Sequence, residues 1–262
     1  MLKKNQSLKY IYKNYLKKNN YKFFFNFNKD LNYNSVPWFT LPSNKFLEHI
    51  LKKKYTIFEY GSGSSTFFFS KKCKKIYSVE LYQEFYKKFI KLKIPKNVKI
   101  FNNSNLQIDT KYKNNLLYKK YIKSIQDVKF KRKNKEYLIG HGFISKTNEC
   151  INYASKILDF KDNFFDIIVV DGQARELCVK LSIHKLKKNG FIIFDNADRI
   201  EYERCFKFLK KNKFYRIDFW GITNFRTYET CTSIFARKLS DIKSPYITMK
   251  KYSPNIINFK KK

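Results

Sequence analysis

The chain has 262 residues, 43% of them hydrophobic and 19% aromatic, enough for one α/β domain with a sizeable core. Five scattered cysteines, never in C-x-x-C spacing, argue against a disulfide framework or a zinc site. The formal charge of +35 invites a nucleic-acid partner, but only seven of the 56 basic residues are Arg and the lysines are spread along the whole chain. Richness in Lys, Asn, Ile, Phe and Tyr with little Gly, Ala or Pro is the bias of A/T-rich coding DNA. A solvated surface therefore accounts for the charge, and no specific nucleic acid is expected. The N-terminus is polar and no run approaches the roughly 20 apolar residues of a membrane span, so a cytoplasmic protein is expected.

Residues 1–36 read as a lead-in or flap, and Pro37–Pro42 as a loop into a helix over 43–51. A strand at 55–60 is followed by Gly61-Ser-Gly63-Ser-Ser-Thr66, a glycine turn into a helix over 64–72 that Ser64, Ser65 or Thr66 can cap. A second strand, 75–80, ends in Glu80, 19 residues after Gly61 and close to the roughly 20-residue offset of a ribose-binding carboxylate. Hydrogen bonds to such a charged acceptor are worth roughly 1.5–3 kcal/mol each. A helix over 82–93 would align Phe85, Phe89 and Leu92, and a strand over 98–101 leads to Asn102 and Asn103. Residues 104–147, with His141 between two glycines, break the rhythm as an insertion.

A helix over 149–158 precedes the apolar run Phe164–Val170, a central parallel strand ended by Asp171-Gly172. A helix over 174–187 leads to a strand at 190–194, ended by Asp195-Asn196. Tyr202, Cys205, Phe206 and Leu209 share a helical face. Strands at 214–220 and 231–237 flank a loop over 221–230, and the basic tail is 241–262. Alternating strands and helices imply a mostly parallel sheet; the last two strands, joined without a helix, can pair antiparallel.

Glu59 two positions before the first glycine would crowd a pyrophosphate, and Thr66 stands where a dinucleotide fingerprint has its third glycine; both disfavour a NAD-linked oxidoreductase. A cationic ligand without phosphate tolerates Glu59 better. An acidic residue followed by G-x-G at the end of the first strand resembles the class I S-adenosylmethionine (SAM)-dependent methyltransferases. Residues 37–240 would form that domain, with 104–147 inserted. The resemblance implies a Rossmann-like seven-stranded sheet, mostly parallel with an antiparallel closing strand and helices on both faces. It implies SAM as cofactor, contacted by Glu59, Gly61, Ser62, Gly63, Glu80 and, on the adenine side, Asn103. Trp38 and Tyr60 are further candidates for packing on SAM.

Asp171, Asp195 and Asn196 end central strands and resemble the ligand set of metal-dependent O-methyltransferases. That leaves a divalent metal open, although the lysine expected after the first carboxylate is missing and a metal-free site is favoured. Asp171-Gly-x-x-Arg175 resembles instead uncharacterised methyltransferases associated with glycans and small metabolites. Asp171 would orient the acceptor; Arg175 would bind a substrate anion or pair with a neighbouring carboxylate. The expected function is methyl transfer to a small-molecule or sugar-containing acceptor. RNA methylation and a non-catalytic nucleoside-binding module are the alternatives. Oligomeric state is not legible.

Overall fold

A computed structural model describes residues 36–102, 109–122, 129–132, 135–138, 147–224, 226–238 and 240. The lead-in 1–35, Asn103, His141 and the tail from 241 lie outside the described residues. The elements are α1 (Leu41–Ile50), β1 (Thr56–Tyr60), α2 (Ser64–Lys72), β2 (Lys75–Glu80), α3 (Gln83–Phe89) and β3 (Val98–Asn102). Then come α4 (Leu116–Tyr121), β4 (Lys129–Arg132), β5 (Lys135–Leu138), α5 (Thr147–Ser155), β6 (Phe165–Val170) and α6 (Arg175–Ser182). The chain closes with β7 (Leu186–Phe194), α7 (Glu203–Lys211), β8 (Tyr215–Thr223) and β9 (Arg226–Ala236).

Seven strands form one sheet in the order β3-β2-β1-β6-β7-β9-β8, and β4 and β5 pair apart from it. Pairing is parallel from β3 across to β7. β9 is antiparallel to both β7 and β8. The sheet is the Rossmann-like arrangement the sequence predicts, and β9 is the reversed strand.

The two faces carry separate cores. Ile57, Ile76, Ile167, Val169 and Ile193 point to one, under α1 and α2. Phe58, Tyr60, Ile168, Val170 and Phe194 point to the other, under α5, α6 and α7. Alternate residues of one strand thus feed opposite cores, as period-two geometry demands. Among the described residues no helix is long and apolar enough to cross a membrane.

Several boundaries differ from the sequence expectation. The helix predicted over 174–187 ends at Ser182, and β7 begins at Leu186, which pairs with Phe165. The apolar period of this segment fits either form, and pairing with β6 decides; ion pairs of Lys185 with Asp162 at 2.7 Å and Lys187 with Asp166 at 2.8 Å flank it. The predicted 221–230 loop is mostly strand: β8 and β9 run on until Thr223 faces Arg226. Cross-strand pairing sustains polar residues there that alternation alone could not identify. The helix predicted over 82–93 stops at Phe89, although Phe85 and Leu92 still pack with Phe89 and Phe67.

Candidate functional site

Four strand tips come level at one edge. Beyond the strands the ladder continues with Gly61 N–H to the Val79 carbonyl at 2.9 Å, Asp171 N–H to Tyr60 at 3.0 Å and Asp195 N–H to Val170 at 3.2 Å. Glu80, the glycine turn, Asp171-Gly172 and Asp195-Asn196 therefore stand side by side at the C-terminal ends of β2, β1, β6 and β7. In open α/β sheets, ligands bind at such an edge.

The turn has two unlike glycines. Gly61 has φ +95, and a Cβ built on it would lie 2.8 Å from the Asp171 carbonyl oxygen. Only glycine suits both the left-handed backbone and that close approach. Gly63 is extended, and a Cβ there would meet nothing within 4 Å among the described residues. Its side is open, as a ligand cradle must be.

Glu80 is 5% exposed, and its carboxylate reaches across the turn. Oε2 accepts from Ser62 N–H at 3.0 Å and Oε1 from Tyr82 N–H at 2.9 Å. The Leu81 N–H also bonds this carboxylate, so three backbone amides share its roughly four acceptor sites. Burial pushes the Glu80 carboxyl up to about 7, against the pull of those amide bonds.

Glu59 does not face the edge. It is fully buried beneath the turn, accepting from Ser65 Oγ and Thr66 Oγ1 at 2.5 Å each and from Ser78 Oγ at 2.7 Å. Burial likewise pushes its carboxyl up to about 7, with the three hydroxyls pulling the other way. Ser62 Oγ lies 2.8 Å from Ser78 Oγ, which ties the turn to the same hydroxyl network. Thr66 Oγ1 also accepts from Gly63 N–H at 3.0 Å and so caps α2. Glu59 thus braces the turn through hydroxyls.

Asp171, Asp195 and Asn196 do come together, around the guanidinium of Arg175. Arg175 Nη2 donates to Asp171 Oδ1 and to Asn196 Oδ1, each at 3.2 Å. Its Nε donates to the Gly172 carbonyl at 2.9 Å, and its Nη1 to the Asp195 carbonyl. The Arg175 side chain is 0% exposed and that of Asp171 22%. Arg175 therefore takes the carboxylate-pairing role and has no surface to offer a substrate anion. Burial first, then the neighbouring Asp195 charge, holds the Asp171 carboxyl well above the usual carboxylate range, with Arg175 pulling back. Asp195 Oδ1 accepts from Thr232 Oγ1 at 2.7 Å. Among the described residues no group of three or more His, Cys, Asp or Glu side chains is placed to hold a metal ion. Arg175 already occupies an Asp171 oxygen, the Asn196 side-chain oxygen and the Asp195 backbone carbonyl, while the Asp195 carboxylate accepts from Thr232.

Two backbone positions here are left-handed without glycine: Ala174 at φ 48 and Asn196 at φ 50. Asn tolerates this conformation; Ala does not, at a cost of roughly 1–2 kcal/mol. Ala174→Gly is therefore expected to leave stability unchanged or raise it by up to about 1 kcal/mol, since glycine's entropy cost offsets part of the relief. Chemical denaturation checks this; a loss above about 1 kcal/mol would contradict the strain.

Sequence reasoning missed the residues that tie distant strand tips together. Gln173 Nε2 donates to Tyr82 OH at 2.7 Å, joining the ends of β6 and β2. Tyr153 OH, Tyr202 OH and Gln173 Oε1 are buried with no hydrogen-bond partner among the described residues. Each such orphan costs about 1–3 kcal/mol. Tyr60, a candidate for packing on SAM, is instead fully buried and donates to the Ala154 carbonyl at 2.9 Å. Trp38 is half-buried near α1, and His49 and His184 are exposed.

No protein-family profile and no curated protein matches the sequence. Solved structures do match in chain path. A Streptococcus mutans protein solved with SAH is 15% identical, covering 74% of this chain and 94% of its own, at a TM-score of 0.44. Precorrin-6y C5,15-methyltransferase from Geobacter metallireducens is 13% identical, with 75% and 86% covered and a TM-score of 0.44. The tRNA (m1A58) methyltransferase TrmI from Aquifex aeolicus is 14% identical, with 74% and 66% covered and a TM-score of 0.41. Likeness this distant says nothing of which reaction this chain performs, so its activity has to come from the site itself.

Proposed function

We propose that this protein is a SAM-dependent methyltransferase acting on a small-molecule or sugar-containing acceptor. One observation carries the reading: Glu80 lies across a glycine turn whose Gly63 side is open, at neighbouring tips of a sheet with a reversed β9. An open cradle beside a carboxylate held in place by backbone amides suits a nucleoside, and Glu59 beneath the turn suits a cationic ligand better than a pyrophosphate. SAM when bound would supply an electrophilic methyl group. Gly61, Ser62 and Gly63 would shape its bed, Glu80 would accept from the ribose hydroxyls, and Asn103 would serve the adenine side. Glu59 would act by bracing and charge. Asp171, the partly exposed carboxylate at the next tip, would orient the acceptor, and positioning supplies much of the rate in such transfers. The domain would span 37–240 with 104–147 inserted.

Glu80→Ala is expected to weaken SAM binding by about 1.5–3 kcal/mol, the worth of a charge-assisted hydrogen bond. In the wild type, affinity should rise with pH, because the ionised carboxylate is the stronger acceptor for a ribose hydroxyl. With the Glu80 carboxyl at about 7, the gain between pH 6 and pH 8 is about tenfold. Calorimetry checks both, and Glu80→Gln should reduce the pH dependence to the part that Glu59, also at about 7, contributes. A flat wild-type profile would remove Glu80 from the ribose.

The acceptor is tested with methyl-labelled SAM and fractionated cell extract. Label in small metabolites or glycans is the expected result. Label confined to RNA, with binding that survives physiological salt, would move the assignment to RNA methylation. SAM binding without transfer to any fraction would favour the non-catalytic module.

A further inference from the structure

The edge that would hold a divalent ion in a metal-dependent O-methyltransferase already holds a positive charge. A guanidinium offers five N–H donors in a fixed fork and accepts nothing. All three Arg175 nitrogens are engaged: Nε with Gly172, Nη1 with the Asp195 carbonyl, Nη2 with Asp171 and Asn196. Two aromatic rings pack beside it: the guanidinium carbon lies 5.7 Å from the Phe194 ring centroid and 5.4 Å from that of Tyr202. The backbone is bent on both sides to make this fit, with Ala174 directly before Arg175 and Asn196 opposite it both left-handed. A divalent ion at the same oxygens would face a buried like charge that has nowhere to go.

We propose that Arg175 is a built-in cation: its guanidinium holds Asp171 and Asn196 at the tips of β6 and β7 where a metal-dependent enzyme would use a divalent ion, so this site works without one. Arg175 reaches no acceptor itself and is a positioning residue that acts through Asp171. The proposal rests on reading this edge as the acceptor side of a methyl-transfer site, but its test needs neither SAM nor acceptor.

The probe is Mn²⁺, followed by electron paramagnetic resonance on the full chain. Wild type is expected to bind none at this edge into the millimolar range. Arg175→Gln, which removes the charge and keeps a polar side chain, should gain one Mn²⁺ per chain, and adding Asp195→Asn should abolish it. A saturable wild-type site that Asp195→Asn removes would overturn the proposal. So would a folded Arg175→Gln protein that gains nothing, because the oxygens would then not be a cation set. Should Arg175→Gln fail to fold, wild-type thermal melts decide. A midpoint unmoved by Mn²⁺ or chelator is expected; a rise of several degrees with Mn²⁺, absent in Asp195→Asn, overturns it. Failure of SAM binding would leave all these readouts intact.

Discussion

Gly63→Val is expected to lose SAM binding by at least about 100-fold, near 3 kcal/mol, with the fold intact. The reason is space. A Cβ at Gly63 meets no atom of the described residues within 4 Å and its backbone is extended, so valine is accommodated there and intrudes on a ligand. Gly61→Val should behave differently, although both glycines look equivalent in sequence. Its φ of +95 is hostile to a β-branched residue, and its Cβ would press on the Asp171 carbonyl. Strain and overpacking together cost about 3–5 kcal/mol. Against a total stability of about 5–15 kcal/mol, that change threatens the fold itself. Circular dichroism with calorimetry separates the two: native signal without binding for Gly63→Val, a large drop in melting point for Gly61→Val. Full SAM affinity in Gly63→Val would show that the open side is not the cradle.

Gly172→Ala is expected to cost about 1–3 kcal/mol by overpacking. Its Cβ would fall on the Tyr153 hydroxyl and lie 3.0 Å from Tyr153 Cζ, and Tyr153 is fully buried with no room to retreat. That hydroxyl has no hydrogen-bond partner among the described residues, so Tyr153→Phe alone should be nearly neutral or stabilising. In the double variant the phenylalanine ring gives back part of the space. A coupling energy of about 1 kcal/mol or more, measured by denaturant unfolding of all four proteins, is the expected sign of direct contact. Additive costs would mean that the tip of β6 does not rest on Tyr153.

The fold and the strand tips that frame the candidate site were legible because they rest on local patterns. The apolar runs ending at Tyr60 and Val170, the glycine turn and the 19-residue offset to Glu80 are all short-range signals, and the strands and tips follow from them. What escaped depends on contacts between distant residues. Nothing in the spacing says that Ser78 would reach Glu59, that Gln173 would meet Tyr82, or that Arg175 would turn inward to join Asp195 and Asn196. The identity of Glu59 was informative, but its direction was not: alternation along β1 sends it into the core under α2, where hydroxyls from α2 and β2 surround it. The early start of β7 escaped because its first residues fit a helix as well as a strand, and pairing with β6 decides.

The central claim, a SAM site at the shared tips of β1 and β2, is tested most directly by calorimetric titration of the wild-type protein with SAM. The account predicts one SAM per chain at micromolar Kd, about −8 kcal/mol, displaced by the demethylated product. No heat at millimolar SAM, or tighter binding of NAD than of SAM, would contradict it.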